Sequence, residues 1–269
     1  MPKPSPTAAT SRTKSTGATP LPAKVSRNAC ARLGRALYGV YALALLALLV
    51  SFAAVLALLL PKLSWRRATT RALARAWLRW AGLRVHTTGI ESLPPGNCVL
   101  VANHSSYLDG IVMKAVLPPR FSFVIKREAS TMPVLGLLLR RIGSEFVDRH
   151  STHGRHRAAR RVVRRAEAGH SLVFFPEGTF DAQVGIKRFK IGAFVAAARG
   201  NVPVVAAAIH GARRALPTGT VVPWPGHLHV EVLSPIGGHG ETPESLRDEA
   251  RRRILERLDE PDVTRQAVA

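Results

Sequence analysis

The stretch Cys98-Val99-Leu100-Val101-Ala102-Asn103-His104-Ser105-Ser106-Tyr107-Leu108-Asp109 decides the fold. Its first five residues are an uninterrupted apolar run, which reads as a short buried strand. The mostly apolar segment Gly110 to Leu117 behind it reads as a helix. His104 and Asp109 therefore stand at the carboxyl end of a strand, where open α/β sheets hold their ligands. A neutral imidazole takes a proton from an alcohol. A carboxylate on its other nitrogen fixes the tautomer and stabilises the imidazolium. On one continuous helix, five residues of separation would turn the two side chains about 140° apart. They meet only if His104 lies in the turn and Asp109 in the first helical turn. The competing reading is purely local: an Asn or Ser N-cap, a surface His, and an Asp attracted by the helix dipole.

Outward from this stretch, strand and helix signals alternate. Strands are expected at Val85–Thr88, Cys98–Ala102, Phe121–Ile125, Glu145–Val147, Leu172–Phe175, Val202–Ile209 and Leu228–Leu233. Helices are expected at Gly110–Val116, Pro133–Arg141, Arg155–Glu167, Gly192–Arg199 and Pro243–Leu258. The alternation makes the class α/β with a largely parallel, mixed sheet and flanking helices. Thr242 and Pro243 supply a cap and a first-turn proline for the last helix.

Other polar residues gather at the same sheet edge. Phe175-Pro176-Glu177-Gly178-Thr179 closes a buried strand, so Glu177 and Thr179 emerge beside His104. A carboxylate there accepts hydrogen bonds from a polyol, and Gly178 permits close backbone approach. The same residues also suit a plain turn with Pro at its second position. Asp148-Arg149 follows another strand, and the guanidinium fork of Arg149 suits phosphate. Lys126 follows a third strand. His150, His153 and His156 lie among arginines, and those like charges with Gly154 argue for a solvated face rather than a metal site. No Gly-rich phosphate loop, H-E-x-x-H or G-x-S-x-G appears.

The net charge of +22 implies a polyanionic partner. Its distribution selects one: residues 1 to 90 contain no Asp or Glu, and their basic residues flank the uncharged run Ala36 to Leu60. At 1.5 Å per residue that run spans roughly 37 Å, enough to cross a ~30 Å hydrocarbon core with tilt. Trp65 to Trp80 intersperses Arg66, Arg67, Arg71, Arg75 and Arg79 with Leu73, Trp77, Leu78 and Trp80, and reads as a helix lying among lipid headgroups. Residues 1–35 form a basic tail with a disordered composition, 36–81 a membrane anchor, and 82–262 a soluble domain. A membrane-tethered nucleic-acid binder also fits the charge. It lacks the interleaved aromatics, helix-turn-helix or zinc module that such a protein needs. Two cysteines, Cys30 and Cys98, give no disulfide framework.

Together these residues resemble the 1-acyl-glycerol-3-phosphate acyltransferases among the glycerophospholipid acyltransferases. N-H-x-x-x-x-D matches Asn103, His104 and Asp109. G-x-x-F-[IV]-D-R matches Gly143 to Arg149, F-P-E-G-T matches Phe175 to Thr179, and an apolar strand with V-P-V matches Val202 to Ile209. The blocks stand in family order. The resemblance implies acyl transfer from acyl-CoA or acyl-carrier protein to a lysophospholipid hydroxyl at the cytoplasmic side of the cell membrane. His104 is then the general base and Asp109 its orienting partner. Asn103, Glu177, Gly178 and Thr179 position the acceptor, Lys126 and Arg149 face its phosphate, and no metal or other cofactor is required. One position departs from the pattern. Family members often carry an Arg after E-G-T, whereas Phe180 and Asp181 stand here. A different acceptor, such as a lyso-ornithine lipid, is the alternative that this departure raises.

Overall fold

The computed structural model describes residues 23–148, 152–237 and 240–266, with backbone alone for 23–31, 152–157 and 265–266. The chain divides into two compact units, Met1–Tyr38 and Gly39–Ala269. The first described element, helix α1 (Ala23–Leu59), runs through that boundary. It begins inside the segment expected to be a disordered tail, because no proline or glycine interrupts it between Ala23 and Arg32. Its window Arg32–Leu59 is long and apolar enough to cross a membrane.

Within the second unit, a seven-stranded sheet forms the centre. The strands are β1 (Leu83–Thr88), β2 (Val99–Ala102), β3 (Ser122–Lys126), β4 (Glu145–Val147), β5 (Leu172–Phe174), β6 (Val204–His210) and β7 (Gly226–Val232). Their order is β1-β7-β6-β2-β5-β3-β4. Strands β6, β2, β5, β3 and β4 run parallel to one another, while β7 pairs antiparallel with β6 and parallel with β1. The sheet is thus mixed and largely parallel. Each expected strand is present, with ends moved by no more than two residues.

Burial on both faces explains the unbroken apolar runs of β2 and β6. On one face, Leu100, Ala102, Val205 and Ala207 pack with α2 (Leu63–Trp80) and α3 (Leu108–Val116). On the other, Val99, Val101, Ala206 and Ala208 meet α6 (Gly192–Arg199) and α8 (Pro243–Leu255), with α5 (Thr152–Glu167) alongside α6. Helices α4 (Pro133–Arg141) and α7 (Ala212–Ala215) complete the layers. Phe194 is fully buried in the second cluster. Phe194→Ala should cost about 3–5 kcal/mol, read as a drop in unfolding midpoint.

Helix α2 corrects the sequence reading. Three of its arginines, Arg67, Arg71 and Arg75, are spent inside the protein. Arg67 is 6% exposed and donates to Ile142 O (2.8 Å), Arg120 O (3.1 Å) and Ser122 Oγ. Arg75 and Arg71 donate to Ala115 O and Val116 O at 2.7 and 2.9 Å. These are carbonyls left open at the end of α3, and cations stabilise the negative end of a helix. Trp77 is buried in the core and donates Nε1–H to Ala42 O (3.0 Å), whereas Trp80 is 55% exposed. The α1–α2 turn places Tyr41 Oη against Trp80 O (3.3 Å), so the two helices form a hairpin across Pro61. The expected anchor 36–81 is therefore part of the domain's own core along α2. On α1, Val40, Leu48, Phe52, Val55 and Leu59 remain exposed.

Candidate active site

The sheet topology collects the ends of β6, β2, β5 and β3 at one edge. The turn after β2 brings His104 and Asp109 together, with Asp109 in the first turn of α3. His104 Nδ1 lies 3.0 Å from Asp109 Oδ2. The same oxygen accepts the backbone N–H groups of Ser105 (2.7 Å) and Ser106 (2.8 Å). Asp109 is fully buried, and these charge-assisted bonds hold it there. A carboxylate at Nδ1 requires that nitrogen to donate, which leaves the lone pair on Nε2. The His104 side chain is 18% exposed, and among the described residues none hydrogen-bonds to Nε2. The dyad thus presents one basic nitrogen to the outside.

Neighbouring groups fix this turn in place. Ser106 Oγ donates to Leu216 O (2.9 Å) and accepts from Leu108 N (3.2 Å). Asn103 does not meet the expectation of a substrate contact. It is fully buried, its Nδ2 donates to Ile209 O (3.0 Å), and its Oδ1 accepts from Ile209 N (2.7 Å). It continues the β2–β6 ladder past the last backbone pair. Glu177 is also committed: Oε1 accepts from His104 N (2.7 Å) and Oε2 from Lys187 N (3.0 Å). At 5% exposure it holds the base's own backbone rather than an acceptor. Burial pushes its carboxyl above the usual glutamate range, partly offset by those two N–H bonds.

Glu177→Gln should be damaging despite its shape. The amide would turn an NH₂ toward one of two backbone donors. One buried N–H left unpaired costs about 1–3 kcal/mol, seen as a lowered unfolding midpoint together with reduced turnover. The sign of the pH effect is fixed as well. A carboxyl whose value is raised on folding binds protons more readily in the native state, so this group's contribution to stability falls as pH rises through its raised value. A wild-type minus Glu177→Gln difference in unfolding midpoint should follow that slope across the acidic range.

Aromatic rings flank the imidazole. Phe175 stacks on it with centroids 4.4 Å apart, and Phe180 meets it edge-on at 4.7 Å. Phe180 also packs edge-on against Tyr107 at 4.8 Å. Gly178 has φ +89°, which lets the chain reverse between Glu177 and exposed Thr179. Lys126 is exposed at the end of β3, two strands from β2. Arg149, expected to face phosphate, lies outside the described residues, as does His150; the side chains of His153 and His156 do too. Beyond Lys126, a cavity of about 460 Å³ beside β4 is lined by Arg127, Ser130, Ser144, Asp148 and Arg161. It lies at the sheet's far edge, away from His104, and its cations pair with Asp148 and Glu145. Cys98 is a free, buried thiol, pushed up to about 11 by burial and so held inert.

Residues 84–210 match the family model described as Acyltransferase. A chloroplastic 1-acyl-sn-glycerol-3-phosphate acyltransferase of Brassica napus is 31% identical over 200 residues, 72% of this chain and 57% of that protein. The Haemophilus influenzae enzyme of the same description is 28% identical over 170 residues, 62% of this chain and 70% of that one. Residues 84–210 thus form an acyltransferase domain, and the chain is similar to 1-acyl-sn-glycerol-3-phosphate acyltransferases. The fold agrees with the crystal structure of the Thermotoga maritima 1-acyl-sn-glycerophosphate acyltransferase, with a TM-score of 0.73, 21% identity, and coverage of 84% and 95%. The chain spans a little over half the length of its plant relatives.

Within this acyltransferase domain, the departure at Phe180 has a local context. Lys187 Nζ is bound by Asp181 Oδ2 and by Thr179 O. Arg213 donates to Asp181 O (3.1 Å) and pairs with Glu260 (3.4 Å). Two cations beside Phe180 are thus matched by carboxylates of the same neighbourhood. Phe175 and Phe180 carry no signal in sequence for contact with His104, nor Tyr107 for contact with Phe180, since nothing in their spacing marks which ring faces which.

Proposed function

We propose that this protein transfers an acyl chain from acyl-CoA or acyl-carrier protein to the free hydroxyl of 1-acyl-glycerol-3-phosphate, giving phosphatidic acid. The observation that carries the reading is the His104–Asp109 pair at 3.0 Å, open at Nε2 and placed inside the acyltransferase domain. His104 Nε2 takes the proton of the acceptor hydroxyl as its oxygen attacks the thioester carbonyl. Asp109 stabilises the imidazolium that forms. Collapse of the tetrahedral intermediate expels the thiolate, which recovers the proton from His104. No enzyme nucleophile enters. Lys126 and Arg149 are proposed to face the acceptor phosphate, and Thr179 to line its approach. No metal or other cofactor takes part, and nucleic acid is not a partner. Incubating purified protein with lysophosphatidic acid and each donor, and following phosphatidic acid, tests the assignment.

A second acceptor class has an observation in its favour. Phe180 places an apolar ring beside the base, and Lys187 is neutralised by Asp181. A lysolipid without a terminal phosphate, such as a lyso-ornithine lipid, fits such a wall. Lysophosphatidic acid should be used faster than a neutral monoacylglycerol if Lys126 carries the phosphate, and Lys126→Ala should raise its KM more than that of the donor. Equal use of both acceptors would favour the second class.

Attachment to membrane through α1, with the domain on the cytoplasmic side where the thioester donors occur, is part of the same proposal and is supported by the long apolar window Arg32–Leu59. Charges placed at the exposed positions Leu48, Phe52 and Val55 of α1 should release the protein from vesicles without unfolding it. Sedimentation with anionic vesicles reads the outcome. Full retention by a triple Asp variant would remove α1 as the attachment.

A further inference from the structure

We infer that Arg251 and Asp262, outside the residues that match the family model, are positioning residues for the base His104. The inference rests on the functional reading above. Arg251 projects from α8 and is 15% exposed. Its Nε donates to Lys187 O (3.2 Å) and its Nη2 to Ile186 O (3.1 Å). The same guanidinium grips Asp262 through both carboxylate oxygens, Nη1 to Oδ2 at 2.9 Å. Asp262 is itself held by the backbone and hydroxyl of Thr264, at 2.9 and 2.6 Å.

Those two carbonyls belong to the segment that supports Glu177. Lys187 turns its carbonyl to Arg251 and its N–H to Glu177 Oε2. Glu177 Oε1 in turn receives the N–H of His104. The path from the carboxyl-terminal segment to the base is thus Asp262, Arg251, the Ile186–Lys187 peptide group, Glu177 and His104, with a hydrogen bond between each pair of neighbours. Further bonds fasten the same loop. Ile186 N donates to Pro261 O (2.9 Å), and Gly185 N to Glu260 Oε2 (3.2 Å). Gly185 has φ +128°, and a Cβ there would lie 2.5 Å from Pro261 O, so the loop and the terminal segment are fitted to each other.

The loop from Pro176 to Ile191 contains no helix, and a strand-like bridge joins Ile186 to Asp262. Its position is set by what it docks on. A planar, five-donor side chain that reads two carbonyls and one carboxylate at once suits this docking, and Lys cannot reproduce it. Loss of the clamp lets the Lys187 peptide drift, and Glu177 then holds the His104 backbone less firmly. Misplacement of a base by about 1 Å costs on the order of 10²-fold in rate.

The test is a double-mutant cycle in the full chain. Arg251→Ala and Asp262→Ala should each lower kcat about 10- to 100-fold, with KM for donor and acceptor within about twofold of wild type. Because Arg251 acts through Glu177, adding Arg251→Ala to Glu177→Ala should produce little further loss. Arg251→Lys should recover only part of kcat. Glu249→Ala removes two arginine pairs elsewhere on α8 and should leave kcat unchanged, which controls for general weakening of that helix. Circular dichroism melting establishes that each variant is folded at the assay temperature. Equal multiplicative losses for Arg251→Ala in the wild-type and Glu177→Ala backgrounds would overturn the inference. So would an unchanged kcat in folded Arg251→Ala. Acyl transfer by the wild-type chain is measured in the same assay, so failure of the functional reading is seen separately from failure of the clamp.

Discussion

Replacing His104 by alanine is expected to lower acyl transfer by roughly 10²–10⁴-fold while leaving the fold intact. The side chain is partly exposed, and its backbone N–H can still reach Glu177 after truncation. Asp109→Asn should lose activity for a different reason. An amide oxygen in that pocket can still accept from the N–H groups of Ser105 and Ser106, but it carries no charge to hold the imidazolium. Both effects are read as kcat on the proposed acceptor at saturating donor, with melting curves run alongside. Wild-type turnover by folded His104→Ala would remove the base from the mechanism.

The second large effect concerns the amino-terminal helices. A chain lacking residues 1–81 should fail to form a folded domain, whereas one lacking residues 1–38 should keep its melting transition. The longer deletion removes Trp77, Leu78 and Ala81 from the main core and all donors of Arg67. Emptying one large buried aromatic site alone costs about 3–5 kcal/mol, against a typical total of about 5–15 kcal/mol. The shorter deletion touches none of these contacts. A cooperative transition in the chain lacking residues 1–81 would show that α2 is dispensable to the core, contrary to the packing of Trp77.

What the sequence made legible was local. A buried apolar run followed by Asn103-His104 and by a helical segment fixes the dyad, because strand, turn and first helical turn leave no other arrangement in which the two meet. The alternation of runs likewise gives the α/β class and the helix Pro133–Arg141. What sequence could not carry were partners distant along the chain. Arg67, Arg71 and Arg75 share the spacing of a headgroup-binding helix. The carbonyls they satisfy, at Ala115, Val116, Arg120 and Ile142, are brought to them only by the fold. Asn103 and Glu177 stand in motifs that suggest contact with substrate, yet Ile209 N–H and the His104 and Lys187 N–H groups occupy their oxygens. Nothing in the spacing of Arg251 points to a loop 65 residues away in the chain.

The central claim is that the acceptor hydroxyl attacks the thioester directly, with His104 as base. The most direct measurement is free thiol released from acyl-CoA by purified protein, with and without lysophosphatidic acid, alongside phosphatidic acid formed. The account predicts thiol and phosphatidic acid in equal amounts, with no burst of thiol when the acceptor is withheld. A stoichiometric burst without acceptor, leaving an acylated protein, would contradict it.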